Sequence, residues 1–383
     1  MILGLHSVVE EVQPHDLFKE HAGRDTRDGS VHEDPVSLHP QNCLYSIVTE
    51  TRILPVSPGA LDADIIAQAA EVLRRGGLVA FPTETVYGLG ADVLNLEAVK
   101  KVFDVKGRPP DNPLIVHVAG TKQLDDIVDE IPDKAKMLGE AFWPGPLTLV
   151  MKRTILVSDL VTAGLDTVAV RMPDHPVALA LIRALGEGIV GPSANLSGKP
   201  SPTTAQHVYD DLRGQIEVIL DSGQTTIGME STVVDVTVDP PVILRLGGLT
   251  RERIEEVIGP VVTDSTGDRS RRSPGTRHRH YAPKAQVLLV RHGDPAAFAA
   301  LLQEQRQAGR TVGTIVHSAL LAKLESGEFY RVLPSSIDIF ARHLFRTLRE
   351  LDAMRVEVIV VESVEEDGLG ATVMDRLRRA SQG

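Results

Sequence analysis

From about Thr51 onward, aliphatic runs of strand length alternate with stretches of helical period, which points to an α/β fold with a twisted mixed sheet. LVAF, PLIVHV, LTLVMK, TVAVRMP, GIVGPSA, STVVDVT and VILRLG are the strand runs before residue 262. Asp64 to Arg75 places Ile66, Ala69, Ala70 and Leu73 on one helical face before Gly76-Gly77 stops it. A second helix starts at Asn95, with Val99, Val102 and Phe103 inward. A third runs from Pro176 to Leu185, where Asp174 is placed to cap it. The apolar runs are too short to span a bilayer, and the first residues lack a basic leader. No membrane association is expected, and the cytoplasm is the expected location.

A chain of 383 residues exceeds one ordinary domain. Residues 1–50 carry five of the 13 histidines without a clear period and are expected to be a poorly ordered extension. A catalytic-sized domain is expected over 51–262. Residues 263–284, TDSTGDRSRRSPGTRHRHYAPK, lack Val, Ile and Leu and are expected to be a linker. Beyond it QVLLV, VGTIVH and EVIVVES, a helix over Ile337 to Leu351 and the closing DGLGATVMDRLRRA indicate a smaller βαβ-type domain over 285–383. The single cysteine, Cys43, excludes an internal disulfide and a CxxC zinc site, and no metal-ligand spacing is found. A net charge of −12 argues against a general nucleic-acid binder but permits a locally basic pocket.

Standard nucleotide signatures fail. Gly198-Lys199 is followed by Pro200, and Ser193 stands where a Walker A glycine belongs. Gly368-Leu369-Gly370 has Val373 at the third glycine position. Four polar segments at strand ends remain. In FPTETVYGLG, Thr83, Glu84, Thr85 and Tyr87 sit on a turn that serves either chemistry or an ordinary hydroxyl-capped bend. Lys106-Gly107-Arg108-Pro109-Pro110-Asp111-Asn112-Pro113 puts two cations in a proline-stiffened loop suited to polyphosphate oxygens. In TVAVR, alternation sends Thr167, Ala169 and Arg171 to one face, where the buried arginine needs a carboxylate from the protein or from a ligand. GPSANLSG is read as leaving a strand and opening a helix, with Ser193, Asn195 and, further on, Ser201 as a phosphate cradle.

Taken in order, PTETVYGLG, KGRP…NPL, WPGPLT, VAVRMP, PSAN.SG, ESTVVD, SPGTRHRHYAPK and DGLGATVMDRLRRA resemble the YrdC-like threonylcarbamoyl-adenylate synthases in their longer, two-domain form. The resemblance implies a YrdC-like concave sheet surface and a small Rossmann-like C-terminal domain. It also implies synthesis of threonylcarbamoyl-adenylate and pyrophosphate from L-threonine, bicarbonate and ATP for a tRNA modification. It places Thr85, His117, Arg171 and Ser231 around threonine, with Arg171 on its carboxylate. It places Arg108, Asn112, Thr167, Ser193, Asn195, Ser201 and Arg245 around ATP, with Tyr281 closing over the nucleotide. Lys106, Arg108 and Tyr87 fall at the triphosphate and reaction centre.

Mg²⁺ is expected to arrive with ATP, without a dedicated protein site. The implied partners are the tRNA threonylcarbamoyl-transfer machinery and, through direct contact, tRNA itself. The rival reading is a non-catalytic module that grips double-stranded RNA or tRNA, against which net charge −12 and 4% aromatic residues weigh. Arg269, Arg271, Arg272, Arg277, Arg279 and Lys284 around Tyr281 make the linker either a solvated tether or a lid.

Overall fold

The computed structural model describes residues 50–264, 280–317, 329–333 and 336–382. The expected N-terminal extension, and the linker arginines from Arg269 to Arg279, lie outside these residues. The first sheet has 12 strands. They are β1 (Arg52–Pro55), β2 (Val79–Phe81), β3 (Gly88–Asp92), β4 (Ile115–His117), β5 (Val128–Glu130), β6 (Leu147–Arg153), β7 (Thr167–Arg171), β8 (Ile189–Val190), β9 (Val218–Asp221), β10 (Thr232–Asp235), β11 (Val242–Arg245) and β12 (Val262–Thr263). Their order is β1-β9-β2-β3-β8-β4-β7-β6-β10-β11-β12, with β5 beside β6, and parallel and antiparallel pairs are mixed.

Local chemistry explains the helices. In α1 (Ala63–Arg74), the Asp62 carboxylate accepts from the amides of Asp64 and Ile65, and Ile66, Ala69, Ala70 and Leu73 are the buried face. α2 (Leu96–Lys106) is capped by Asn95 and closes at Gly107, whose φ of 58° is left-handed. Two expectations are corrected. Asp174 does not cap α6 (Pro176–Leu185). His175 holds that position without a side-chain bond, and Pro176, with no amide hydrogen to satisfy, starts the helix. The segment after Gly191 does not open a helix at once. It runs as a loop to α7 (Ala205–Leu212), where Thr204 accepts from the His207 amide.

The second sheet is parallel, in the order β13 (Gln286–Val290), β16 (Val358–Glu362), β14 (Val312–His317), β15 (Phe329–Leu333). It is accompanied by α9 (Pro295–Gln307), α10 (Ile337–Ala353) and α11 (Leu369–Ser381). Phe340, Leu344, Phe345 and Leu348 from α10 join Val373 and Leu377 from α11 in a core that also takes in Val86 and Met229 from the first region. The two regions therefore share apolar packing. No helix among the described residues is long and apolar enough to cross a membrane.

The regions come close at Gly228. Its φ is +75°, and a Cβ there would lie 2.5 Å from the Arg342 carbonyl oxygen on α10. Gly228→Ala therefore combines backbone strain with a clash against a rigid helix, and about 1–3 kcal/mol of stability should be lost. Thermal unfolding checks this; an unaltered melting temperature would show that α10 does not press on this turn.

Candidate active site

One register row of the sheet carries much of the site. His117 on β4 lies opposite Arg171 on β7, which lies opposite Thr148 on β6. Thr148 in turn neighbours Val233 on β10, and Val233 faces Arg245 on β11 beside a bulge. Partners in a register row share a face of the sheet, so residues far apart in sequence gather on one wall.

Two loops close over that wall, and backbone bonds lace them together. The Tyr87 amide donates to the Pro202 carbonyl (2.9 Å), the Ala194 amide to the Tyr87 carbonyl (2.8 Å) and the Leu89 amide to the Pro192 carbonyl (2.7 Å). Gly191 is required because a Cβ there would meet His117 Nδ1 at 2.7 Å. The resulting cavity, of about 60 Å³, is lined by Thr85, Arg108, His117, Arg171, Ser193, Asn195, Ser201, Ser231, Arg245 and Tyr281 among others. Ten of the residues expected from sequence thus meet in one place.

The other four do not line it. The Lys106 side-chain nitrogen is buried and donates to the carbonyls of Ser193 and Asn195, both at 2.5 Å, so it braces the loop from behind. Tyr87 is fully buried, and its hydroxyl donates to the Gly223 carbonyl at 2.7 Å. Asn112 is buried, and its carbonyl accepts from Arg108 Nε at 3.2 Å. Thr167 is buried at the start of β7, opposite Lys152. Sequence reasoning passed over Lys199, Glu230 and His280, which do line the cavity. Glu230 and His280 each adjoin a residue already singled out, Ser231 and Tyr281, and that adjacency was the available signal.

The turn at Thr83 is the hydroxyl-capped bend: its Oγ accepts from the amides of Thr85 and Val86 at 3.1 and 3.2 Å. Arg171 has a protein partner. Its Nη2 lies 2.7 Å from Glu84 Oε2, and both groups are nearly inaccessible. The contact is an ion pair without hydrogen-bond alignment, because neither atom has a directed partner. Nη1 donates to the Thr85 hydroxyl at 2.8 Å and Nε to the Gly145 carbonyl at 3.2 Å. On the far side, Arg245 Nη2 donates to the carbonyl and the hydroxyl of Ser231 at 2.8 and 3.1 Å.

The lining carries Arg108, Arg171, Lys199 and Arg245 against a single carboxylate, Glu230. Burial, and then the Arg245 charge, pushes the Arg108 pKa down. Burial likewise lowers that of Arg245. Such a wall favours an anionic occupant. His117 is pushed down to about 3 by burial and then by Arg171, so its ring is neutral, and its Nδ1 has no hydrogen-bond partner among the described residues. His280 is pushed down to about 3 by burial and then by Arg108.

A histidine neutral in the fold but protonated when unfolded supports the fold fully above its ordinary value of 6.5, and that support fades as pH falls toward 3. Each such group should add about 1.4 kcal/mol of lost stability per pH unit between roughly pH 6 and 4. Urea unfolding across that range should show the decline, with His117→Asn removing one such increment from the slope. A slope unchanged in H117N would mean the ring is not held neutral.

The matches to known proteins fit this geometry. The family model of the Sua5, YciO and YrdC proteins, described as telomere recombination, matches residues 71–247. The model described as threonylcarbamoyl-AMP synthase, C-terminal domain, matches residues 249–382. A threonylcarbamoyl-AMP synthase of Pyrococcus abyssi is 50% identical over 321 residues, covering 82% of this chain and 93% of its own. The crystal structure of P. abyssi Sua5 complexed with L-threonine superposes with a TM-score of 0.82 at 46% identity, covering 86% of this chain and 98% of that one. A shorter synthase from Vibrio vulnificus is 41% identical over 157 residues, covering 40% of this chain and 84% of its own. That protein is too short to hold both matched regions. The chain belongs to the Sua5/YciO/YrdC family, in the form that carries the threonylcarbamoyl-AMP synthase C-terminal domain.

Proposed function

We propose that this chain is an L-threonylcarbamoyladenylate synthase, which condenses L-threonine, bicarbonate-derived CO₂ and ATP and releases pyrophosphate. The observation that carries this reading is the convergence of Thr85, Arg108, His117, Arg171, Ser193, Asn195, Ser201, Ser231, Arg245 and Tyr281 on one cation-rich cavity. Threonine is assigned to the end formed by Thr85, His117, Arg171 and Ser231, with its carboxylate on Arg171. The complex of the P. abyssi relative with L-threonine supports threonine as the amino-acid substrate. The nucleotide is assigned to Arg108, Ser193, Asn195, Ser201 and Arg245, with Asn112 and Thr167 supporting from the surrounding structure. Lys106 then acts by holding the Ser193–Asn195 loop, and Tyr87 by anchoring the turn beneath Thr85.

In the reaction, the threonine nitrogen adds to CO₂ and loses a proton, giving a carbamate. A carbamate oxygen attacks the α-phosphorus of ATP, and the bond to the bridging oxygen breaks so that pyrophosphate leaves. No covalent enzyme intermediate is required. Holding an unstable carbamate against the phosphate supplies on the order of 7–11 kcal/mol of the barrier. Guanidinium groups already fixed beside the phosphoryl oxygens add stabilisation without reorganisation. Magnesium enters as part of the nucleotide substrate, screening its phosphates.

Tyr281 and His280 line the same cavity, and in this reading the segment that carries them acts as a lid that shifts when ATP enters. The product is then handed to the enzyme that transfers threonylcarbamoyl to tRNA.

Pyrophosphate release should require threonine, bicarbonate, ATP and magnesium together, with each omission abolishing it. Arg108→Ala should lower turnover by at least about 100-fold, the scale seen when a fixed electrostatic donor is removed, while circular dichroism stays native. Near-normal release by R108A would remove Arg108 from the nucleotide site.

A further inference from the structure

Among the described residues, Arg376 on α11 heads the fully buried side chains by volume, at 1% exposure. Its Nε donates to Glu230 Oε2 at 2.9 Å, its Nη2 donates to the Leu246 carbonyl at 2.7 Å, and its Nη1 pairs with Asp375. The guanidinium lies 4.9 Å from the centroid of the Tyr281 ring, and Phe345 of α10 stacks on that ring at 5.3 Å. Glu230 uses its second oxygen to accept from the Ser201 hydroxyl at 2.5 Å. One side chain of the second region thus touches, directly or through one carboxylate, three residues of the cavity wall: Glu230, Tyr281 and Ser201.

Glu230 needs explaining, because a carboxylate in a wall meant for phosphates repels them. Unpaired and buried, it is also strongly unfavourable. Burial would raise its pKa, but Arg376 and then Arg245 outweigh this and hold it below the usual carboxylate value, so it is ionised. Arg376 approaches from behind the wall and is absent from the lining. It cancels the Glu230 charge while Arg108 and Arg245 face the cavity.

We propose that Arg376 is a positioning residue for the nucleotide. From the C-terminal region it neutralises Glu230, fixes the Ser201 hydroxyl and clamps the Tyr281 ring, which ties this chain's ATP affinity to its second domain. The inference rests on the reading of the cavity as the synthase site.

The test uses full-length Arg376→Met, Arg376→Lys and the double variant Glu230→Gln/Arg376→Met, with pyrophosphate release against ATP and against threonine, and a thermal melt of each. R376M should raise KM for ATP by at least about tenfold, with KM for threonine and kcat each within about threefold. E230Q/R376M should recover most of the ATP affinity, because the uncompensated carboxylate is gone. R376K, which keeps the charge but loses the planar fork, should fall between wild type and R376M. A merely structural arginine would lower the melting temperature of R376M and leave KM for ATP unchanged in the folded protein, and that result overturns the proposal. So does a double variant no better than R376M. Should R376M not fold, R376K decides: a raised KM for ATP with KM for threonine within about threefold supports the proposal, and an unchanged KM for ATP in the folded variant overturns it. Absence of ATP-dependent pyrophosphate release from the wild-type chain would instead sink the synthase reading itself.

Discussion

Taking several guanidinium groups out of water on one wall is the constraint around which this structure is organised. Arg108, Arg171, Arg245 and Arg376 are all nearly inaccessible. A buried cation without partners costs several kcal/mol, so each must be met. Arg171 is met by Glu84, Thr85 and Gly145; Arg108 by the carbonyls of its own loop; Arg245 by Ser231; Arg376 by Glu230, Asp375 and Leu246. These partners come from strands, loops and helices distant in sequence. Satisfying the arginines therefore draws the fold toward the cavity that three of them line.

The repeating parts of the fold were legible in the sequence because period carries them. α1 shows it: Ile66, Ala69, Ala70 and Leu73 follow from spacing alone and are its buried face. β3 was not legible, since Gly88 and Gly90 have neither branched side chains nor alternation. They lie on the strand because Phe81 and Val79 come within about 3 Å of where their Cβ atoms would be. β9 escaped notice for a different reason: it is a short strand held parallel to β1 and β2, a long-range pairing that its own residues do not announce.

The site divides along the same line. Motif order marked Thr85, Arg108, Arg171 and Ser193, and these share a cavity. Residue type alone did not reveal which way a long polar side chain turns. Lys106 and Tyr87 look like chemistry in sequence, yet each finds carbonyl acceptors on a segment roughly ninety or more residues away. Glu84 and Glu230 carried the opposite ambiguity. Glu84 was marked in its motif without a partner and Glu230 was not marked, and only the placement of Arg171 and Arg376 shows why a carboxylate occupies each position.

Val86 and Met229, contributed by the first region to the apolar core of the second, bear on how such a chain can be divided. Without the C-terminal region these two side chains would lose their apolar neighbours and meet water.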